Sequence, residues 1–276
     1  MTDREDDPSL FHHGLYERAR DEIGTLRAKL PEDAFASLAR EVIRRVSDNP
    51  VAARPQFDAP QRARIDALAR ALLDKGPQAG IEFIQSVRAQ GASVETVYLG
   101  YLAEAARALG NWWEQDRISF VDVTIATGNI YAVMRGLKPL FRTVSATPAT
   151  RSALFASVPG ETHTLGIEMA ADLFTKKGWD ITLKRQMDHD EFIEQASLIG
   201  PPLIGLSAAG EHAIVPLARM IVALRISNPK AAIMVGGNVV NVASDLIETM
   251  GVEAMADDFD AAYAAANRLW EQQQAE

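Results

Sequence analysis

Cysteine is absent from the 276-residue sequence. Its absence excludes disulfide-stapled folds, cysteine-ligated zinc and iron–sulfur sites, cysteine nucleophiles and thiolate-ligated haem. Long apolar runs are missing too, since no window approaches the roughly 18 uninterrupted apolar residues of a membrane span, and we expect no membrane association. The acidic first residues contain no apolar signal segment, so the sequence predicts a soluble, cytoplasmic protein.

Basic residues are also scarce relative to acidic ones. Lysine and arginine total 28 and aspartate and glutamate total 37, which gives a formal net charge of −9. Proteins that bind nucleic acid directly usually present a basic face, so we expect no direct nucleic-acid binding. The chain does have 47% apolar residues, enough for a sizeable core, and its length suits about two domains of ~150 residues.

The first half of the chain carries helical periodicity. Residues 1–57 are charged, with helical patterns at 14–30 and 32–46, and predict an N-terminal helical extension. Residues 58–142 predict a four-helix bundle because short connections separate four helical patterns; these lie at 61–74, 78–90, 93–114 and 119–141. Ser93 and Ser119 are placed to cap the last two helices. The small, polar stretch 143–151 predicts a linker.

Residues 152–276 alternate between short apolar runs and amphipathic helical runs. The predicted strands are 152–158, 180–185, 203–207, 231–235 and 254–256. The predicted helices are 165–177, 190–198, 213–225, 239–249 and 258–270. This alternation predicts an α/β fold with a doubly wound, parallel, five-stranded sheet of the flavodoxin-like kind. Ligands of such sheets bind beyond the carboxyl ends of the strands, and no G-x-G-x-x-G or P-loop motif indicates a nucleotide.

The loop after the first predicted strand contains the residues with the clearest chemistry. It reads Pro159-Gly160-Glu161-Thr162-His163-Thr164-Leu165-Gly166. An imidazole can bind a metal through one ring nitrogen while a carboxylate accepts a hydrogen bond from the other, which fixes the tautomer. Gly166 would allow a bulky ligand to approach the start of the next helix. A solvated surface histidine is the alternative interpretation, and the loop alone leaves both open.

The third and fourth predicted strands end in small residues, and carboxylates follow the fifth predicted strand. The third strand ends in Gly205-Leu206-Ser207-Ala208-Ala209, and the fourth in Met234-Val235-Gly236-Gly237-Asn238. The paired glycines indicate a backbone pressed against something flat or extended. Asp257 lies directly after the last strand, in the same series of loops.

Together, the bundle, the parallel sheet and these loops resemble the cobalamin-binding domain family over about residues 60–273. That family has a four-helix cap and a Rossmann-like domain with a D-x-H-x-x-G loop, a serine ending the third strand and Gly-Gly ending the fourth. The resemblance implies that His163 is the lower axial ligand of cobalt, in place of the cofactor's benzimidazole base, and that Glu161 orients its ring. It also implies further cofactor contacts, from the rest of the loop (Gly160, Thr162, Thr164, Leu165, Gly166), the tail slot (Ser207, Gly236, Gly237), Asp257, and Trp112 or Trp113 above the corrin.

Some positions depart from the family pattern. Glu161 is one methylene longer than the family's aspartate, which preserves the chemistry. Light-sensing relatives that bind adenosylcobalamin have a tryptophan followed by Glu-His in the bundle, where this chain has Val123 and Thr124. We therefore expect a cobalamin with a small or labile upper ligand, such as the hydroxo form. His212, after the third strand, is either a surface residue at a helix start or a second metal-facing group.

The N-terminal extension and the E-x-H-x-x-G loop are similar to the antirepressors of purple photosynthetic bacteria (AerR/PpaA type). That resemblance implies a light- or redox-responsive regulator, not an enzyme, that binds a transcription repressor protein of photosystem genes. One alternative is a corrinoid methyl carrier of a methyltransferase system. Another is a haem-binding sensor on the same fold, with His163 as one ligand and His212, His12 or His13 as a second. A visible absorption spectrum separates corrin from haem.

Overall fold

A computed structural model describes residues 59–74, 76–141 and 151–275. The predicted N-terminal extension, with His12 and His13, and nearly all of the predicted linker lie outside the described residues. No helix within the described ranges is long and apolar enough to cross a membrane.

The first described part is a set of helices packed against one another. They are α1 (Ala59–Asp74), α2 (Gly76–Ala89), a π-helix (Thr96–Leu102) that continues into α3 (Ala103–Glu114), and α4 (Phe120–Leu137), which ends in a 3-10 turn (Lys138–Phe141). The two predicted caps are present. The backbone N–H of Thr96 donates to Oγ of Ser93 at 3.0 Å, and Ser119 and Asp122 form a reciprocal capping box at the start of α4.

The π-helix is the main departure from the predicted helices. A π-helix has hydrogen bonds from residue i to residue i+5 and is rare in proteins. Val97, Tyr98, Tyr101 and Leu102 are buried in this stretch. Apolar periodicity in the sequence indicates a helix here but does not distinguish the two windings.

The second described part is an α/β domain. Its strands are β1 (Arg151–Ser157), β2 (Trp179–Lys184), β3 (Leu203–Ser207), β4 (Ala232–Gly236) and β5 (Ala254–Ala256). Its helices are α5 (Leu165–Lys176), α6 (His189–Ile199), α7 (Ile214–Ser227), α8 (Val239–Thr249) and α9 (Phe259–Ala275). All neighbouring strands pair in parallel, in the order β2-β1-β3-β4-β5. The structure therefore confirms the predicted doubly wound five-stranded sheet and the helices before it.

The sheet separates two apolar cores. One lies between β-strands and α6, α7 and α8, and the other joins α5 and α9 to the helical bundle. Phe174 of α5 lies at the centre of the second core, where its ring centroid is 5.0 to 5.6 Å from four other aromatic rings; these are Phe155, Trp179, Phe259 and Tyr263. Such edge-to-face aromatic packing adds to the stabilisation from buried area.

Polar contacts also join the bundle to α5. The hydroxyl of Tyr98 donates to Oδ2 of Asp172 at 3.0 Å, and Nζ of Lys177 lies 3.3 Å from Oε1 of Glu95. Burial raises the pKa of Tyr98 far above its usual range, and the neighbouring Asp172 carboxylate adds to the effect. Burial likewise raises the pKa of Asp172. The bundle therefore sits on the side of the sheet that α5 covers.

Candidate functional site

The loop after β1 begins with a tight turn. The backbone N–H of Glu161 donates to the carbonyl of Val158 at 3.0 Å, with Pro159 and Gly160 between them. Gly160 has φ = +80°, and proline followed by a glycine of positive φ is the pattern of a type II turn. Because Val158 is itself tied to β3 through the carbonyl of Ser207 (3.1 Å), the turn directs Glu161 toward the neighbouring loop.

Glu161 is a buried carboxylate whose oxygens all have donors. Only 2% of the residue is exposed. Its Oε1 accepts hydrogen bonds from both the backbone N–H and the ring Nδ1 of His163, each at 2.8 Å. Its Oε2 accepts the backbone N–H of Ala209, in the loop after β3, also at 2.8 Å. The carboxylate thereby joins the loops that follow two adjacent strands.

These contacts set the protonation of the pair. Burial alone would raise the pKa of Glu161, but hydrogen bonds from His163 and from the Ala209 N–H outweigh it and lower the pKa to about 2. Donating this hydrogen bond to Glu161 raises the pKa of His163 above its ordinary 6.5, although burial opposes it. Because an ionised carboxylate only accepts hydrogen bonds, Nδ1 is assigned as the donor and Nε2 of the neutral ring keeps its lone pair.

The ring of His163 faces outward. Its side chain is 73% exposed while that of Glu161 is fully buried. Among the described residues, nothing forms a hydrogen bond with Nε2, and a Cβ added at the nearby Gly166 would meet no atom within 4 Å. An oriented, exposed imidazole suits a metal ligand. One imidazole supplies one ligand of a metal.

His212 lies on the other side of the same carboxylate. It belongs to the 3-10 turn Glu211–Ala213 that precedes α7. Its Nε2 is 3.6 Å from Oε2 of Glu161, and its side chain is 60% exposed. This separation suits an ion pair when the ring is protonated but is too long for a hydrogen bond. The residue is both exposed and next to the site, and its two predicted roles stay predictions.

The other residues predicted at the carboxyl end of the sheet lie in one row. Strand register places Ser207 beside Gly236, and Gly236 beside Ala256. Asp257 follows Ala256 directly and is exposed. Ser207, Gly236 and Asp257 therefore come together at the carboxyl edge of the sheet, as the parallel topology predicts. Their contact with a cofactor stays a prediction.

A glycine is required at position 237 for a structural reason that the sequence did not reveal. Its φ is +94°, and an added Cβ would lie only 2.5 Å from the carbonyl oxygen of Ala208. The neighbouring loop thus requires a glycine here, so its presence is no evidence for a ligand. Gly236 differs, because its added Cβ would lie 3.5 Å from the carbonyl oxygen of Ala256, an ordinary contact.

The two tryptophans of α3 face different surroundings. Trp112 is 8% exposed, and the guanidinium of Arg117 lies 5.1 Å from its ring centroid. Trp113 is 38% exposed and its ring lies 6.1 Å from that of Phe120. Trp112 therefore faces the bundle core, and Trp113 does not. Trp113 belongs to an exposed apolar strip, here called the bundle strip, formed by Trp113, Phe120, Val121 and Ile125.

A contact that sequence reasoning missed links α4 to the loop. The hydroxyls of Tyr131 and Thr164 are 2.9 Å apart, and Thr164 directly follows His163. Oγ1 of Thr164 also lies 3.5 Å from Oε1 of Glu168, which pairs with Arg185. The exposed Gly128 and Thr124 lie one and two turns before Tyr131 on the same side of α4. That side of the helix therefore extends from the loop toward the bundle strip.

Comparisons with known proteins agree with this architecture. Residues 151–267 match the B12 binding domain family. The structure of the Methanosarcina barkeri monomethylamine corrinoid protein has a TM-score of 0.62 and 17% identity, covering 76% of this chain and 99% of that one. At this identity the likeness shows the fold alone.

A curated relative comes from Rhodobacter capsulatus. It is described as an uncharacterized 20.5 kDa protein in the bchF-crtJ intergenic region, and is 34% identical over 97 residues, which are 35% of this chain and 50% of the relative. The match thus spans half of that protein's length. The match of residues 151–267 to the B12 binding domain family agrees with the family that the sequence resemblance predicted.

Proposed function

We propose that this chain is a cobalamin-binding regulator in which His163 is the lower axial ligand of cobalt. The observation that carries the proposal is the hydrogen bond of 2.8 Å between Nδ1 of His163 and the buried carboxylate of Glu161. It leaves Nε2 exposed in one orientation. When bound, the cofactor supplies a cobalt centre whose upper ligand can respond to light or to redox state.

Glu161 has two tasks in this proposal. It holds the imidazole in the tautomer that presents a lone pair at Nε2, and its negative charge makes that nitrogen a stronger donor to a metal. Its own position is fixed from the opposite side by the backbone N–H of Ala209. The ligand is therefore oriented before the cofactor arrives, which lowers the entropic cost of binding.

The remaining predicted contacts divide between the two sides of the cofactor. Below, Ser207, Gly236 and Gly237 would border the slot for the displaced nucleotide tail, and Asp257 would contact the cofactor at the same edge of the sheet. Above, the bundle strip would cover the upper face, because the Tyr131–Thr164 contact holds α4 beside the ligand loop. Val123 and Thr124 stand where adenosyl-binding relatives have Glu-His, so we expect a small upper ligand.

The regulatory role is the finer part of the proposal. A change at the upper ligand would alter the conformation of the bundle through the bundle strip. The altered bundle would bind a transcription repressor of photosystem genes differently, so that the chain acts as an antirepressor. A ligand shifts such an equilibrium only by its different affinity for the two conformations. Support comes from the antirepressor resemblance and from a relative encoded in the bchF-crtJ intergenic region.

Absorption spectroscopy tests the cofactor assignment. The purified chain is incubated with hydroxo-, methyl- and adenosylcobalamin and, separately, with haem, in darkness and in light. We expect corrin bands that remain with the protein after gel filtration and that shift from those of the free cofactor. His163→Ala should abolish the shift, and His189→Ala, a change in a histidine at the start of α6, should not.

The same experiment addresses the alternatives. A Soret band with retained iron, and no retained corrin, would replace the proposal with a haem sensor. Loss of the methyl group from the methylcobalamin-loaded chain to an added methyl acceptor and methyltransferase would favour a methyl carrier. No retained chromophore with any of these cofactors would contradict the proposal.

A further inference from the structure

One lateral edge of the sheet is a free strand. β2 stands first in the order β2-β1-β3-β4-β5 and therefore has a neighbouring strand, β1, on one side only. A strand at the edge of a sheet presents a row of unpaired N–H and C=O groups on its outer side. In the part of the chain that the structure describes, no backbone group of β2 bonds to anything other than β1. This edge is therefore able to accept another strand.

The opposite edge of the sheet is much shorter. β5 has three residues, Ala254–Ala256, whereas β2 has six, Trp179–Lys184, and no proline. Very short edge strands and edge prolines are two of the ways in which proteins prevent pairing with other chains. β2 has neither protection, so its edge is the one that a further strand could extend.

Two opposite charges lie on the same face of β2. Asp180 is exposed and Lys184 is half-buried, and they are four residues apart, so their side chains point to the same face of the sheet. Thr182 lies midway between them on that face and is exposed. None of the three side chains forms a hydrogen bond or an ion pair with any residue in the described ranges. The two charges are therefore available to a partner.

The order of residues along β2 makes the strand complementary to its own reverse. In an antiparallel pair of two copies centred on Thr182, Asp180 of each copy stands opposite Lys184 of the other. Ile181 of each copy stands opposite Leu183 of the other, on the face where both residues pack against the core that α5 shares with the bundle. Opposite charges, apolar pairs and threonine pairs are all favourable across antiparallel strands.

We propose that β2 pairs with β2 of a second copy of this chain, in an antiparallel, two-fold symmetric contact centred on Thr182. The sheets of the two copies would then continue as one. Because a two-fold contact of this kind uses the free edge of each copy once, assembly ends at a dimer. The contact is confined to one short strand, so we expect a weak dimer that dissociates on dilution.

Other ways of covering this edge fit less well. Charged side chains on an edge strand normally oppose pairing with a foreign strand, and a foreign strand would need an opposite charge at both positions. Parallel pairing of two copies in register would place Asp180 beside Asp180 and Lys184 beside Lys184, and like charges directly opposite are destabilising. The two charges therefore favour antiparallel pairing with the chain's own copy.

The inference goes beyond the proposed function and does not depend on it. β2 lies at a lateral edge of the sheet, whereas Glu161 and His163 lie in the loop after β1. No residue of β2 belongs to the proposed ligand loop or tail slot. Substitutions in β2 should therefore change dimerisation and leave cobalamin binding as it is.

Reversal of either charge tests the pairing. Asp180→Lys would place a lysine opposite a lysine at both ends of the contact, and Lys184→Asp would place an aspartate opposite an aspartate. Each variant should dimerise at least about tenfold more weakly than wild type, because two favourable pairs become two repulsive ones. Asp245→Lys on α8 and Lys230→Asp before β4 make the same charge changes at exposed positions elsewhere and should dimerise as wild type does. Sedimentation equilibrium of the full chain over a series of concentrations measures the dimer affinity.

Combining the two reversals separates pairing from a general effect of charge. Asp180→Lys with Lys184→Asp in one chain restores opposite charges at both ends and should recover dimerisation. A mixture of the two single variants should form a heterodimer, because a lysine again meets an aspartate at each end. A fluorescent label on one of the variants allows sedimentation velocity to detect the mixed species.

Amide hydrogen exchange locates the contact. In wild type, amides of β2 should exchange more slowly at concentrations where the dimer forms than after dilution. In Asp180→Lys the exchange of the same amides should not depend on protein concentration.

Several results would overturn the inference. They are a wild-type chain that stays monomeric up to its solubility limit, a dimer that neither reversal weakens, failure of the mixed single variants to associate, and concentration-dependent protection outside β2. A monomer whose β2 amides are protected only when a strand-forming peptide is added would show that a foreign strand is the occupant, and would overturn it too.

The cobalamin spectrum is recorded for every variant. A monomeric chain with a normal spectrum would overturn this inference alone. A dimer with the expected response to charge reversal, in a chain that retains no cobalamin, would overturn the proposed function alone.

Discussion

Glu161 and His163 are joined twice through a single carboxylate oxygen. Oε1 of Glu161 accepts the backbone N–H and the ring Nδ1 of His163, both at 2.8 Å. The first bond fixes where the histidine backbone lies and the second fixes how its ring is turned. Since Glu161 is also held by Ala209, the direction of Nε2 is determined by two loops of the sheet.

Removing the charge of Glu161 should weaken cofactor binding. In Glu161→Gln an amide replaces the carboxylate, so one of the three N–H donors faces an NH2 group. We expect the affinity for hydroxocobalamin to fall about 10- to 100-fold, as is usual when the partner of a metal-binding histidine is changed. Titration followed by visible absorption measures it. Glu191→Gln, an exposed change on α6, is the control, and equal affinities for the two variants would contradict the account.

The stability difference between wild type and Glu161→Gln should depend on pH. The pKa of Glu161 is lowered to about 2 from 4.5, so its contribution, on the order of 3 kcal/mol, is complete above pH 4.5 and lost as the pH falls toward 2. The pKa of His163 is raised from 6.5, so its contribution is complete below pH 6.5 and lost as the pH rises through the folded-state pKa.

The two effects overlap between pH 4.5 and 6.5, where the difference should be largest. Urea unfolding of the cofactor-free proteins at a series of pH values measures the free energy of unfolding of each. A difference that stays constant from acid to neutral pH would show that the Glu161–His163 pair does not have the proposed protonation states.

Gly237 should tolerate no side chain. In Gly237→Ala the Cβ would lie 2.5 Å from the carbonyl oxygen of Ala208, at φ = +94°. We expect a loss of about 2 kcal/mol or more in the free energy of unfolding, from strain and from displacement of the loop. Gly251→Ala has φ = +70° with no atom within 4 Å of the added Cβ, and should lose about 1 kcal/mol. Equal losses in chemical denaturation would count against the close approach.

Gly236 is the better position for testing the tail slot. Its added Cβ makes only an ordinary contact, so Gly236→Ala should keep the fold. If the nucleotide tail passes here, the variant should lose affinity for cobalamin relative to wild type. Its loss of affinity for cobinamide, which lacks the tail, should be smaller. Equal effects on both corrinoids in absorption titrations would remove Gly236 from the proposed slot.

Tyr131 should hold α4 to the ligand loop. Tyr131→Phe removes the contact of 2.9 Å with Thr164 and should lower the free energy of unfolding by about 1 kcal/mol. Amide hydrogen exchange in the loop after β1 should become faster. Tyr263→Phe, in the aromatic cluster of α5 and α9, serves as the comparison, and unchanged exchange in Tyr131→Phe would show that the bundle does not restrain the loop.

The fold and the centre of the site were predictable because their signals are local. Alternating strand and helix periods predict the parallel sheet, and the capping box of α4 involves two residues three apart. The Glu161–His163 contact also spans only two residues, so spacing and chemistry suffice to predict it.

The contacts that the sequence did not predict are distant in the chain. Ala209 lies 48 residues from Glu161, and Tyr131 lies 33 residues from Thr164. A backbone N–H donor has no signature in sequence, and a tyrosine at a half-buried helix position is normally a packing residue. The sequence shows the glycine at 237 but not why it is needed. The reason is the carbonyl of Ala208, which lies near Gly237 only in the folded chain.

The ligation of cobalt by His163 is the central claim, and electron paramagnetic resonance tests it most directly. The chain is produced with 15N-labelled histidine, loaded with hydroxocobalamin and reduced to the cobalt(II) form. If His163 is the axial ligand, the splitting of the cobalt lines by nitrogen changes from triplets to doublets on labelling, and His163→Ala loses the effect. Triplets that persist with labelled histidine would mean that the cofactor's own base remains bound, which would contradict the account.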